Sequence, residues 1–255
     1  MNYYILPGIG IYGGIKVGFQ FAELLSSLGT PIAVATPEGS APRGFSAGIA
    51  VLNRRETLAR LRPTDVVLFS LPHDFQELKA TGARLVFHCQ GTDPLILPII
   101  GDREVTLLTC WQQARSFVED ETGRTPIEVG ISISDCFFYG GAPKAETTVA
   151  YMPRRGADIA EAAMHTVPDL DFIAIQHAAE AVVAARMKHA GYFLATSENE
   201  WFGLPALEAM AAGCVVVSVQ AIGGSEFLRD GESALVAPRG DLPRGAGEHQ
   251  PDRGA

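Results

Sequence analysis

Short apolar runs, most of them four to six residues long, recur along this chain and are separated by stretches with helical periodicity. That alternation demands a parallel sheet wound with helices, because parallel neighbours need a crossover and a helix is the usual one. Tyr3 to Leu6 is the first such run, followed by a Gly-rich loop to Gly14 and a helix from about Ile15 to Leu28 closed by Gly29. Strands are expected at Ile32–Ala35, Val66–Ser70, Arg84–Phe87 and Thr106–Thr109, with Ile127–Ile133 ending a first unit. Asp135 to Lys144, rich in aromatic and Gly residues, is expected to connect two domains. A second unit then gives strands near Val149–Met152, Phe172–Ile175, Tyr192–Ala195, Val215–Val219 and Ala234–Val236. Helices are expected near Ala157–His165 and Ala178–Lys188, with another opening at Pro205. The expected domains are therefore 1–143 and 144–238, with a polar tail from 239 to 255 that is expected to be disordered.

Bulk properties narrow the function. The 255 residues are 47% hydrophobic and 19% charged, enough apolar material for globular cores. A net charge of -9 argues against nucleic acid as a partner and disfavours electrostatic docking on anionic lipid. Peripheral membrane association by other means stays open. The four cysteines, Cys89, Cys110, Cys136 and Cys214, form no C-x-x-C pair, so neither a zinc site nor a disulfide framework is expected. A reducing, cytoplasmic setting is the expectation. The first residues lack the basic start of a signal peptide, and no apolar run nears the ~20 residues that span a bilayer.

The stretch Ser197 to Gly213, SENEWFGLPALEAMAAG, carries the chemistry. It sets Glu200 and Glu208 on either side of a tight Phe202-Gly203-Leu204-Pro205 turn that opens a short helix. Pro205 suits a helix start, where its missing N–H costs nothing, and Gly213 suits the left-handed residue just past the end. The free N–H groups of the first turn, with the helix dipole, make a site for an anion such as a diphosphate. Carboxylates on both sides can accept hydrogen bonds from sugar diols, so a nucleotide sugar fits.

This segment resembles the paired-glutamate motif, Glu-x7-Glu, of retaining glycosyltransferases with the GT-B fold, specifically family 4. The likeness runs on through Cys214-Val215-Val216-Val217, Gly223-Gly224-Ser225-Glu226 and Asp230-Gly231-Glu232. The resemblance implies two Rossmann-like parallel-sheet domains facing across a cleft, the second one shortened. It implies transfer of a sugar from a nucleoside diphosphate donor to a hydroxyl acceptor (glycan, lipid or small molecule), with retained configuration and no metal or other cofactor. Glu200 would act at the donor sugar, and Glu208 would hold the ribose hydroxyls. Phe202, Gly203 and Leu204 would line the donor site, and Gly223 and Gly224 would bring backbone N–H groups to the diphosphate.

Three further segments are similar to family elements. Gly10-Ile11-Tyr12-Gly13-Gly14-Ile15-Lys16 resembles the amino-terminal glycine loop, which implies Gly13 and Gly14 at the donor and acceptor. Arg154 and Arg155, just after a strand, stand where the family keeps a diphosphate clamp, though the Lys that usually follows is absent before Lys188. His88, at the end of another strand, stands where the family often places a histidine facing the sugar.

Two alternatives remain. Gly8-Ile9-Gly10-Ile11-Tyr12-Gly13 spells G-x-G-x-x-G, which with Glu38 would suit an NAD(P)-dependent oxidoreductase. The crossing helix that ends family members is missing after Pro238, which points instead to a non-catalytic or truncated sugar-nucleotide-binding subunit.

Overall fold

The computed structural model describes residues 1–10, 13–42 and 48–239. By contacts the chain divides into two compact units, Met1–Ser132 and one beginning at Ile133.

The first unit holds strands β1 (Asn2–Ile5), β2 (Ile32–Thr36), β3 (Val51–Asn53), β4 (Val66–Phe69), β5 (Arg84–Cys89), β6 (Thr106–Thr109) and β7 (Ile127–Glu128). Its helices are α1 (Gly13–Ser27), α2 (Arg54–Leu58), α3 (Phe75–Lys79), α4 (Leu97–Ile100) and α5 (Gln112–Thr122). The strands form one sheet, β3-β2-β1-β4-β5-β6-β7, and every pairing is parallel. The chain winds outward from β1 to β3, returns, and winds the other way from β4. All five residues of β2 are buried, the continuous apolar reading expected of a strand covered on both faces. The expected strand Ile127–Ile133 shortens to two residues. Val129 still donates to the Thr109 carbonyl, and Gly130 at φ +69° then turns the chain away.

The second unit holds β8 (Ala145–Tyr151), β9 (Asp171–Ala174), β10 (Ala190–Ala195), β11 (Val215–Val219) and β12 (Leu235–Ala237). Its helices are α6 (Ala157–Thr166), α7 (Glu180–His189) and α8 (Leu204–Ala211). Its sheet, β12-β11-β10-β8-β9, is also wholly parallel. Winding reverses here between β8 and β10. Side chains alternate between two cores, as strand geometry requires. Phe193 and Val216, paired in register, pack with Met187, Ala206 and Ala209 under α7 and α8. Their neighbours Leu194 and Val217 pack on the other face with Val149, Ile159 and Ala163 of α6.

The segment expected to link the domains belongs to this second unit, so the boundary falls between Ser132 and Ile133, before the expected 143/144. Phe137, in a short 3₁₀ turn, is 1% exposed and packs into the α7–α8 core, and the Tyr139 N–H donates to the Ala211 carbonyl. Lys144 then anchors the carboxyl end of α7. Its ammonium donates to the carbonyls of Met187, Lys188 and Ala190 at 3.2, 3.1 and 2.8 Å. A cation there satisfies carbonyls that no helical N–H reaches and opposes the negative end of the dipole. Of the expected tail, only Arg239 lies within the described residues.

Candidate functional site

Open parallel sheets bind ligands beyond the carboxyl ends of their strands, where the winding direction reverses. In the second unit that place lies between β8 and β10. The segment after β8 carries Arg154 and Arg155, the segment after β10 carries Ser197 and Glu200, and the segment after β11 carries Gly223. All five residues, with Gly203 at the start of α8, line one cavity of about 70 Å³.

Close backbone approach holds these segments together. Gly156, at φ +74°, caps α6, and a Cβ there would lie 2.3 Å from the Thr196 carbonyl oxygen. The Thr196 hydroxyl donates back to the Arg155 carbonyl at 2.5 Å. On the other side a Cβ on Gly223 would fall 1.6 Å from the Trp201 carbonyl oxygen, so only glycine fits. The N–H groups of Ile222 and Gly223 donate to the carbonyls of Glu198 and Glu200 at 3.1 and 2.8 Å. The Glu200 loop is thus fastened to its neighbours through both edges.

Charges complete the site. Arg155 Nη1 lies 3.5 Å from the Glu200 carboxylate and donates to the Asn199 carbonyl at 3.1 Å. Arg239 joins Glu198 on the same loop, at 3.0 Å, to Asp158 in the first turn of α6. Gly203, at φ +87°, is the N-cap of α8, and its carbonyl accepts from Ala206 and Leu207. Leu204 is buried, and Pro205 follows it in the first turn as expected. Phe202 packs on Phe227 with ring centroids 5.3 Å apart. Gly224, at φ +84°, opens a turn whose carbonyl accepts from Phe227 and Leu228. Gly213, at φ +76°, follows the end of α8 in the left-handed form its position demanded.

Glu208 is only 5% exposed, on the buried side of α8, and is not among the residues lining the cavity. The two glutamates therefore differ in setting: Glu200 lines the cavity, and Glu208 is buried outside its lining.

The remaining expected residues belong to the first unit. Gly13 and Gly14 begin α1, and a Cβ on Gly14 would meet the Gln90 side chain at 2.7 Å. Ile11 and Tyr12 of the same loop lie outside the described residues. His88 is fully buried, and both ring nitrogens are engaged: Nδ1 with the Tyr4 hydroxyl at 2.8 Å and Nε2 with Cys110 Sγ at 3.0 Å. Phe21 covers the ring at 4.7 Å. Burial pushes the imidazole pKa down to about 4, so the ring is neutral. A neutral ring has one N–H, which suits a hydroxyl donating to Nδ1 and Nε2–H facing sulfur. In this arrangement His88 offers no nitrogen to a ligand, against the expectation that it faces one. The apolar neighbours that enclose it lie far away in sequence. The same burial raises the pKa of the Tyr4 phenol and of Cys110, and takes Cys89 up to about 11.

Sequence reasoning did not single out Ser197, Thr196, Asp158 or Arg239. Ser197 opens the acidic stretch and Thr196 directly precedes it, and that adjacency was the available signal. Among the described residues no group of three His, Cys, Asp or Glu is placed to hold a metal ion, and no helix is long and apolar enough to cross a membrane.

Residues 150–248 match the family model described as "Glycosyl transferases group 1". No curated protein matches the sequence. Among solved structures the chain is similar to sucrose-phosphate synthase from Thermosynechococcus elongatus, with 14% identity and a TM-score of 0.70 over 96% of this chain and 88% of that one. It is similar to Anabaena HepE in complex with UDP-glucose, with 13% identity and a TM-score of 0.68 over 95% and 86% of the two chains. WaaG, a glycosyltransferase involved in lipopolysaccharide biosynthesis, gives 12% identity and a TM-score of 0.62 over 96% and 89%. The fold is accordingly the expected one, two parallel-sheet units of the GT-B class, with the smaller, five-stranded sheet second.

Proposed function

We propose that this chain is a retaining glycosyltransferase of the family 4 type, moving a sugar from a nucleoside diphosphate donor to a hydroxyl acceptor without a metal. One observation carries the reading: two arginines, a carboxylate and the start of α8 meet at a single cavity where the second sheet reverses its winding. The group 1 glycosyltransferase match, which spans that cavity, supports it.

Each group has a task there. Arg154 and Arg155 bind the diphosphate, for which a guanidinium's forked donors are well suited. As the bond between sugar and diphosphate loosens, negative charge grows on the departing phosphate, and those donors with the α8 amide groups stabilise it. That is the task a bound cation performs elsewhere, which is the ground for proposing a metal-independent reaction. Glu200 stands at the wall to hold the donor sugar and offset positive charge at its anomeric carbon. Glu208 takes the ribose hydroxyls from its enclosed position. Phe202, Leu204 and Gly224 shape the donor pocket. His88 keeps a supporting role behind the surface. The acceptor is a glycan, lipid or small molecule, and the setting we propose is the cytoplasm.

Incubation of the purified protein with UDP-, GDP- and dTDP-sugars tests the reading. Release of nucleoside diphosphate that is lost in Glu200→Gln supports it. Nucleotide-sugar binding with no release at any acceptor concentration would make the chain a binding subunit, and nicotinamide binding would favour an oxidoreductase.

A further inference from the structure

The hydroxyls that line the cavity are those of Thr196, Ser197 and Ser218. Two are satisfied by the protein: Thr196 donates to the Arg155 carbonyl and Ser218 to the Val219 carbonyl at 2.8 Å. Ser197 differs. Its Oγ is buried and has no hydrogen-bond partner among the described residues. Three carbonyls of the same loop already hold other donors. The carbonyls of Glu198, Asn199 and Glu200 accept from Ile222, Arg155 and Gly223 respectively. A buried hydroxyl left unpaired is destabilising, and native proteins keep few such groups without a partner.

The surroundings say which ligand atom that is. The charged side chains of the cavity are two arginines and one carboxylate, and the carboxylate is already paired with Arg155. The remaining field favours an anion. An O–H donated to an anionic oxygen forms a short, charge-assisted bond, about twice as strong as one to a neutral oxygen.

We propose that Ser197 is a diphosphate-binding residue, its hydroxyl donating to a phosphoryl oxygen held by Arg154 and Arg155. This rests on the glycosyltransferase reading and deepens it, since it adds a neutral donor that the paired-glutamate stretch does not specify. A hydroxyl held ready in a desolvated wall adds affinity without adding charge.

Isothermal titration of UDP, GDP, dTDP, UDP-glucose and inorganic pyrophosphate into wild type and Ser197→Ala tests this, with the melting temperature of each unliganded protein. The expected result is a dissociation constant about 5- to 20-fold higher in Ser197→Ala for whichever diphosphates wild type binds. The unliganded melting temperature should be unchanged or higher, because the substitution removes an unpaired polar group. Equal affinities in the two proteins overturn the assignment and leave the glycosyltransferase reading standing. A loss confined to UDP-glucose, with UDP unaffected, places the hydroxyl against the sugar and overturns it too. A melting temperature several degrees lower shows that the hydroxyl serves the fold and overturns the assignment. Failure of wild type to bind any of the five overturns both readings together.

Discussion

Arg155 lies 3.5 Å from the Glu200 carboxylate, both lining the same cavity, while also donating to the Asn199 carbonyl. The cation proposed to bind phosphate and the carboxylate proposed to act at the sugar are thus coupled before any donor arrives. Both side chains are partly exposed, at 49% and 29%, so water screens the pair and its worth to stability is at most about 1 kcal/mol. Arg155→Ala should leave the denaturation midpoint nearly unchanged while lowering kcat/KM for donor at least tenfold. Combining it with Glu200→Gln should give a non-additive loss. Additive losses would show that the contact has no part in turnover.

The two glutamates should separate kinetically. Glu200→Gln removes a charge at the reacting centre and should lower kcat by about 10²-fold or more with little change in donor KM. Glu208→Gln keeps the buried volume and should raise donor KM with a smaller effect on kcat. Initial rates over a donor series distinguish the outcomes, and equal changes in both constants for both variants contradict the roles.

Gly223→Ala puts a methyl group where the Trp201 carbonyl oxygen lies 1.6 Å away. The loop that carries Glu200 must shift. We expect a loss of roughly 2–3 kcal/mol in urea denaturation, in the range for overpacking and backbone conflict, and activity reduced further than the remaining folded fraction explains.

Lys144→Met removes the donor shared by three carbonyls at the end of α7. Unfolding free energy should fall by roughly 1–2 kcal/mol, read from the urea midpoint, with donor KM unchanged because the site lies at the opposite ends of the strands.

His88 makes stability depend on pH. Its folded pKa, about 4, lies below the unfolded value of 6.5, so the unfolded chain takes up a proton first as the solution is acidified. Stability is therefore full above 6.5 and falls between 6.5 and about 4, by roughly 1.4 kcal/mol per pH unit from this group. Thermal melts from pH 7.5 to 4.5 should show that slope in wild type and a flatter one in His88→Gln.

Most of the architecture was legible because parallel strands covered on both faces are written as largely apolar runs, as Ile32–Ala35 and Val215–Val217 are. The helix opened by Leu204 and Pro205 and closed before Gly213 was legible from its end signals. Other elements escaped: Val51–Asn53 and the helices at 54–58, 75–79 and 97–100 hold too few residues for a period to show, and the longer Gln112–Thr122 helix, polar over most of its length, was not read either. The 133–144 stretch resembled a linker by composition, yet Phe137 packs against residues some fifty to eighty positions later, which no local pattern reveals. His88 illustrates the same limit at the site. A strand-end position was visible, whereas the Tyr4 and Cys110 side chains that enclose it were not.

Because Gly156 and Thr196 meet backbone to backbone, the arginine segment and the glutamate segment form one clamp with no slack between its jaws. Efforts to retune this protein toward a bulkier donor by lengthening or redrawing the 197–202 loop alone should therefore fail. The jaws must be redesigned as a pair.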